Sequence, residues 1–195
     1  VTAMQGDGLA VVLVASDAPG VSVAECKMAD GTLTADIRFD AVVPMAVLMT
    51  GTAAIAAVEL ALARGALALA AQMEGLAQRL HEVTAEYLRQ RVQFGKPLAS
   101  FQVLRHAMVD LHAQIELSAA SWRHAAALLE DEGPEGAMGA VHAALARCGD
   151  TALALGKAAI QYHGAFGYTE DADIGLYSNA ALRWASQFGS PAAHR

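Results

Sequence analysis

Two hydrophobic rhythms divide the chain. Between Leu33 and Phe39 apolar positions alternate with polar ones, at Leu33, Ala35, Ile37 and Phe39. That period of two is the signature of a strand covered on one face. Leu9-Ala-Val-Val-Leu-Val14 is a short apolar run bounded by Gly6, Gly8 and Pro19-Gly20, which reads as a buried strand followed by a turn. Asp30-Gly31 marks the turn into the next strand. Two or three strands alone bury too little to stand free, so this segment, 1–45, reads as the tail of a β domain whose beginning is missing.

After Pro44 the rhythm changes and stays helical. Leu69, Met73, Leu76, Leu80, Val83 and Tyr87 step by four and three, one apolar stripe on a long helix ending near Arg91. Phe101, Leu104, Met108, Leu111 and Ile115 repeat the spacing, and Gly133-Pro134 breaks the chain after that second helix. Val141, Leu145, Cys148, Ala152, Leu155 and Ala159 form a third stripe, with a weaker fourth helix between Asp171 and Ser186. Helices joined by short turns predict an antiparallel bundle over 46–195. The fold class is therefore α+β by content and mainly α, a C-terminal helical bundle preceded by the remaining strands of a β domain. The alanine-rich faces read as close helix packing, and Met73 and Met108 as gap-fillers.

Two polar clusters interrupt these stripes. The first is Arg91-Val-Gln-Phe-Gly-Lys-Pro-Leu-Ala-Ser-Phe-Gln102. Gly95 is expected at the helix C′ position, Pro97 to stop the helix, and Ser100 to cap the next one. Arg91, Phe94 and Gln102 would present a planar cation, an aromatic face and an amide, with Lys96 pointing outward. This set suits an anionic, ring-bearing ligand. An ordinary αα-hairpin whose terminal Arg is favoured by the helix dipole explains the same residues. The second cluster is Gln161-Tyr-His-Gly-Ala-Phe-Gly-Tyr-Thr-Glu-Asp171. Gly164 and Gly167 open a tight loop where bare backbone can lie against a ligand, beside the polar groups of Gln161 and His163. A glycine-ended helix with turn residues explains it equally. No nucleophile elbow accompanies a Ser-His-Asp or Cys-His reading. His106 and His112 lack a third ligand for a metal.

Composition narrows the classes. Of 195 residues 55 % are hydrophobic and 17 % charged, which describes a chain that buries a core. The net charge of −7 and the lack of a basic stripe exclude a nucleic-acid surface. Glu59 and Arg64 interrupt the apolar stretch at 53–71, so no membrane span is expected. Cys26 and Cys148 have no metal spacing, and a reduced, cytoplasmic protein is the simple expectation. The opening residue Val1 points to a processed or truncated chain.

Taken together the clusters carry more than either does alone. Arg91-x-x-Phe94-Gly95-Lys96-Pro97 with Phe101-Gln102, followed by Gln161-x-x-Gly164-x-x-Gly167-Tyr168-Thr169, resembles the C-terminal helical domain of the acyl-CoA dehydrogenases. Ala70-Ala-Gln-Met-Glu-Gly-Leu-Ala-Gln78 is similar to the first long helix of that domain, and Gly8 to Val43 to the last strands of the family's middle β domain. The resemblance implies FAD bound across a dimer interface, with Arg91, Phe94 and Gln102 reaching a neighbouring subunit's FAD. It also implies that Gln161, Gly164 and Gly167 line the adenosine–pyrophosphate part of that same FAD. Ala165 stands where the family most often has glycine.

The family's reaction is α,β-dehydrogenation of an acyl-CoA thioester, with a glutamate removing the α proton and hydride passing to the flavin. Family spacing places that glutamate at Gln187 or at Gly65, and neither is a carboxylate; Glu170 is a remote substitute. No catalytic residue and no metal ligand is therefore assigned. The ending Phe188-Gly-Ser-Pro-Ala-Ala-His-Arg195 resembles the short C-termini of heteromeric acyl-CoA dehydrogenases that act on steroid side chains. The expected partners are an acyl-CoA substrate, a homo- or hetero-oligomer (a dimer of dimers) with a catalytic acyl-CoA dehydrogenase subunit, and an electron-transfer acceptor. A flavin-free subunit that kept the family's dimer surface is the alternative.

Overall fold

The computed structural model describes residues 1–28, 30–169 and 173–195. The chain forms two compact units, Val1–Leu62 and Ala63–Arg195. In the first, β1 (Thr2–Gln5), β2 (Gly8–Leu13) and β5 (Ala46–Thr50) make an antiparallel sheet in the order β1-β2-β5. β3 (Val21–Lys27) and β4 (Leu33–Phe39) form a separate ribbon with Val23 opposite Ile37. Gly20 closes that ribbon at φ 89, where a Cβ would stand 2.0 Å from the Asp40 carbonyl oxygen, so no other residue fits.

Three expectations change here. The strands at 9–14 and 33–39 are present, but β1 and β3 are additional, and helix does not begin directly after Pro44. Ala46–Thr50 is a strand because it completes the β2 edge, with Ala46 opposite Leu13 and Thr50 opposite Ala10. The alternation of β4 also does not correspond to cover within this chain. Leu33, Ile37 and Phe39 are all exposed, and Ala10 is the buried strand residue.

The second unit is helical. α1 (Gly51–Gln90) enters it from the first unit. By length and composition α1 is the one helix among the described residues that could cross a membrane. Its part from Ala63 onward is instead core, with Ala63, Ala66, Leu69, Met73, Leu76 and Leu80 buried. The stripe then drifts, as a 3.6-residue period must, so that Thr84 and Leu88 are buried while Val83 and Tyr87 are half-covered.

α2 (Gln102–His163) is two arms joined at Gly133, whose φ of 74 and ψ of −175 break the helix immediately before Pro134. Contacts place α1 beside the first arm and the first arm beside the second. His81 of α1 reaches the Met108 carbonyl at 2.9 Å, and Ser118 of the first arm donates to Thr151 of the second at 2.9 Å. The third stripe is buried throughout, and burial pushes the Cys148 thiol up to about 12. α3 (Ile174–Trp184) packs on the second arm where Gly156 lets Ser178 approach; a Cβ there would lie 3.6 Å from Ser178 Cα.

Candidate functional site

The first cluster is a miniature β-hairpin and not a plain helix–turn–helix. β6 (Val92–Gln93) pairs with β7 (Lys96–Pro97), leaving Phe94 and Gly95 as a two-residue turn. Their φ angles are 54 and 78, and positive φ at both positions is what a tight hairpin needs. Gly95 therefore serves the hairpin turn and not the helix C′ position. Phenylalanine in this region is uncommon and costs about 1–2 kcal/mol, yet its ring is 88 % exposed. The strain thus holds an aromatic face out into solvent.

The rest of the cluster is arranged around that tip. The Arg91 carbonyl accepts from Leu98 N–H at 2.8 Å, which closes the base of the hairpin. The Arg91 side chain is exposed and carries no ion pair among the described residues. Lys96 is exposed as expected, and its Nζ sits 4.3 Å from the centre of the Phe101 ring, a cation–π contact. Ser100 does not cap α2. Its hydroxyl donates to the Pro97 carbonyl at 2.7 Å, inside a 3-10 turn over Leu98–Ser100, and α2 starts after Phe101 without a side-chain cap. Gln102 is exposed, its amide nitrogen 3.4 Å from His106 Nε2.

The second cluster terminates α2. Gly164 has φ 60 and ψ −140, a conformation suited to glycine, and a Cβ on it would meet open space. Its backbone is thus bare toward solvent. Gly167 has a different cause: a Cβ there would lie 3.1 Å from His163 Cβ and 3.4 Å from the Ile160 carbonyl oxygen. It is needed for the 3-10 turn Gly164–Tyr168 to fold back on its own helix. Gln161 is exposed. His163 is only 6 % exposed, and its Nδ1 lies 2.8 Å from the Ala159 carbonyl oxygen. A carbonyl can only accept, so Nδ1 carries the proton. Burial lowers the His163 pKa, and the Ala159 contact offsets part of that. Glu170 lies outside the described residues.

The fold brings the two clusters together through Tyr87, which the helical stripe assigned to core, and His163 of the second cluster. Tyr87, one turn before Arg91, stacks on His163 with centroids 4.2 Å apart. Its hydroxyl donates to the His163 carbonyl at 3.3 Å. The groups left facing outward are a guanidinium, two amides, an aromatic ring and the exposed Gly164 backbone, whose N–H is already bonded to the Ile160 carbonyl. This is chemistry that fits a dinucleotide's phosphates and rings.

A third place is assembled in the first half of α1, at Gly65. A Cβ on Gly65 would stand 3.2 Å from the Phe188 ring. Gln187, next to that phenylalanine, is exposed, and its side chain makes no hydrogen bond among the described residues. The residue after Gln187 thus packs against Gly65, the other position at which the family spacing puts a glutamate. Among the described residues no group of His, Cys, Asp and Glu is arranged to hold a metal.

Comparison with known proteins gives these features a context. The sequence model described as acyl-CoA dehydrogenase, C-terminal domain, matches residues 51–189. Acyl-CoA dehydrogenase IpdE2 of Mycolicibacterium smegmatis (strain ATCC 700084 / mc(2)155) is 35 % identical over 128 residues, covering 65 % of this chain and 38 % of that protein. The Tcur3481-Tcur3483 steroid ACAD G363A variant superposes with a TM-score of 0.88 at 29 % identity, over 100 % of this chain and 52 % of that one. Butyryl-CoA dehydrogenase of Megasphaera elsdenii shares the fold, with a TM-score of 0.88 at 23 % identity over 100 % of this chain and 52 % of that one. The chain thus spans about half the length of these solved structures.

Proposed function

The chain belongs to the acyl-CoA dehydrogenase family, and from that premise we propose that it is a subunit, or the C-terminal part, of an FAD-dependent acyl-CoA dehydrogenase. In this reading it supplies flavin contacts across a subunit interface and no catalytic base. The observation that carries the reading is the pairing of Gly65 with Phe188. Phe188 follows Gln187 in the chain, and its ring occupies the space beside Gly65. An amide at Gln187 cannot remove a proton near neutral pH.

The flavin contacts belong to the other end of the helical unit. Arg91 would fork the diphosphate, Phe94 would lie beside a ring, and Gln102 and Gln161 would hydrogen-bond polar edges. Gly164, and the turn that Gly167 permits, would let backbone approach the adenosine–pyrophosphate half. Bound there, FAD would supply the acceptor for hydride leaving the β carbon of the thioester. The base would come from a partner chain with a glutamate at either of the two positions, in a dimer of dimers. Strands β1 to β5 are then the closing part of a β domain and the helices a separate domain. Likeness to a steroid acyl-CoA dehydrogenase favours a steroid-side-chain thioester as substrate. An electron-transfer protein would reoxidise the flavin.

The test is the visible flavin absorbance of the protein purified with its co-purifying chain, compared with that of the chain alone. Stoichiometric flavin in the complex is expected. A complex that assembles without flavin overturns the reading and leaves a structural subunit that kept only the dimer surface.

A further inference from the structure

The two clusters are far apart in sequence, and their usefulness to one ligand depends on what holds them in register. Three contacts do this. Arg91 N–H donates to the Tyr87 carbonyl at 2.8 Å, the last helical bond of α1. The Tyr87 hydroxyl donates to the His163 carbonyl at 3.3 Å. The Tyr87 ring lies on the His163 ring at 4.2 Å with 26° between planes, and Phe166 is parallel to Tyr87 within 3° at 6.0 Å. His163 is locked in turn by its Nδ1–H bond to Ala159, and the next residue is Gly164.

We propose that Tyr87 and His163 are the positioning pair that sets Arg91 and the Gly164–Gly167 backbone at a fixed separation, so that both address one flavin dinucleotide. This rests on the FAD reading given above. The pair need not touch the ligand. At 4.2 Å the two rings are in direct face contact, an arrangement that stabilises beyond the area it buries. The path from Arg91 to Gly164 then runs through two hydrogen bonds and one stack, with no long flexible side chain between. His163 is held toward its neutral form by burial, which lowers its pKa.

The experiment titrates FAD into the protein purified with its co-purifying chain and reads flavin affinity together with the visible circular dichroism of the bound flavin. Tyr87→Leu and His163→Ala remove the stack, and each should weaken FAD binding about five- to tenfold and shift the flavin dichroism. His163→Phe keeps a stacked ring and should restore affinity to within about twofold of the parent, a rescue that bulk alone does not produce. Tyr87→Phe loses only the hydroxyl bond and should fall between. If Tyr87→Leu or His163→Ala does not fold, the two phenylalanine variants decide. A His163→Phe protein as weak as His163→Ala, or a Tyr87→Phe protein weaker than Arg91→Ala, overturns the proposal. Parent-like affinity and dichroism in Tyr87→Leu alongside weakened binding in Arg91→Ala overturns the pair and leaves the FAD reading standing. Unchanged binding in Arg91→Ala as well removes the FAD reading and the pair with it.

Discussion

The hairpin end of the helical unit and the Gly65–Phe188 end differ in what they leave exposed. At the hairpin, the chain accepts a positive φ at Phe94 to hold a ring out, and leaves the Arg91 head group without an ion pair among the described residues. Polar side chains in folded proteins are normally engaged locally or idle on the surface, and strain without compensation is selected against unless it serves a contact. At the other end the opposite holds. A glycine in a helix interior, unfavourable by about 1 kcal/mol against alanine, receives a phenylalanine ring where a carboxylate would need room and polar surroundings. On the proposed reading, groups that bind are kept at one end, and the group that would react comes from a partner.

The strongest way to break this contrast is to look for chemistry. On the proposed reading the chain by itself should not bleach flavin on anaerobic addition of an acyl-CoA, steroid-side-chain thioesters included. Removal of a general base typically lowers rates by about 10²–10⁴, so turnover should sit at background. It should appear only with a partner bearing a glutamate at one of the two positions, and mutating that glutamate should abolish it. Vigorous bleaching by the lone chain would mean that another group, Glu170 first among them, acts as base.

The hairpin end is tested by charge. Arg91→Ala should lower flavin retention by about one to two decades, the effect of a charge-assisted hydrogen bond to phosphate. Arg91→Lys should recover only part, because an ammonium cannot grip two oxygens as a fork does. Retention that is equal in all three proteins would place the guanidinium away from the ligand.

A smaller effect is expected at Gly164. Alanine there must adopt φ near 60 and ψ near −140, at about 1–3 kcal/mol, although the Cβ itself would meet nothing. Thermal unfolding should register a loss of that order. Gly167→Ala strikes a packed neighbour and should also destabilise, whereas Gly75→Ala, in an open helical position, should stabilise slightly. An unaffected Gly164→Ala melting curve would show that the turn has a second conformation available.

How far the sequence revealed this arrangement depended on whether a pattern carried its own cause. The helical stripes were legible because each buried position recurs at helical spacing: Met73, Leu80, Met108, Ile115, Val141 and Leu155 are all core. Strand β5 was not, since Ala46-Val-Leu-Met-Thr50 has no alternation of its own and becomes a strand by pairing with β2. The hairpin was misread as a helix stop because Gly95 has the same positive φ in either motif; what separates them is Phe94, whose φ no sequence rule anticipates. Ser100 was a plausible cap that bonds backward to Pro97 instead. The residues Arg91, Phe94, Gln102, Gln161, Gly164 and Gly167 follow from the resemblance to the acyl-CoA dehydrogenase motifs. Tyr87 and Phe188, which connect or close the sites, were hidden because a half-buried aromatic on a stripe and one near a chain end look like ordinary packing.

The finest test of the contrast uses Gln187. It is adjacent to Phe188, occupies one of the two positions where the family spacing calls for a glutamate, and is exposed with no side-chain hydrogen bond among the described residues. Its backbone, by contrast, is engaged, N–H donating to the Trp184 carbonyl at 3.2 Å. A substitution that changes only the side chain should therefore leave the local turn in place. If the amide neither holds substrate nor moves a proton, Gln187→Ala should alter turnover of the assembled complex by no more than about fivefold, well below the 10²–10⁴ that loss of a proton-transfer group produces. Steady-state rates with and without the substitution, read beside unchanged flavin content, measure this directly. A fall of two decades or more at constant flavin would assign the amide to the reacting centre, and the chain could no longer be read as the partner without a base.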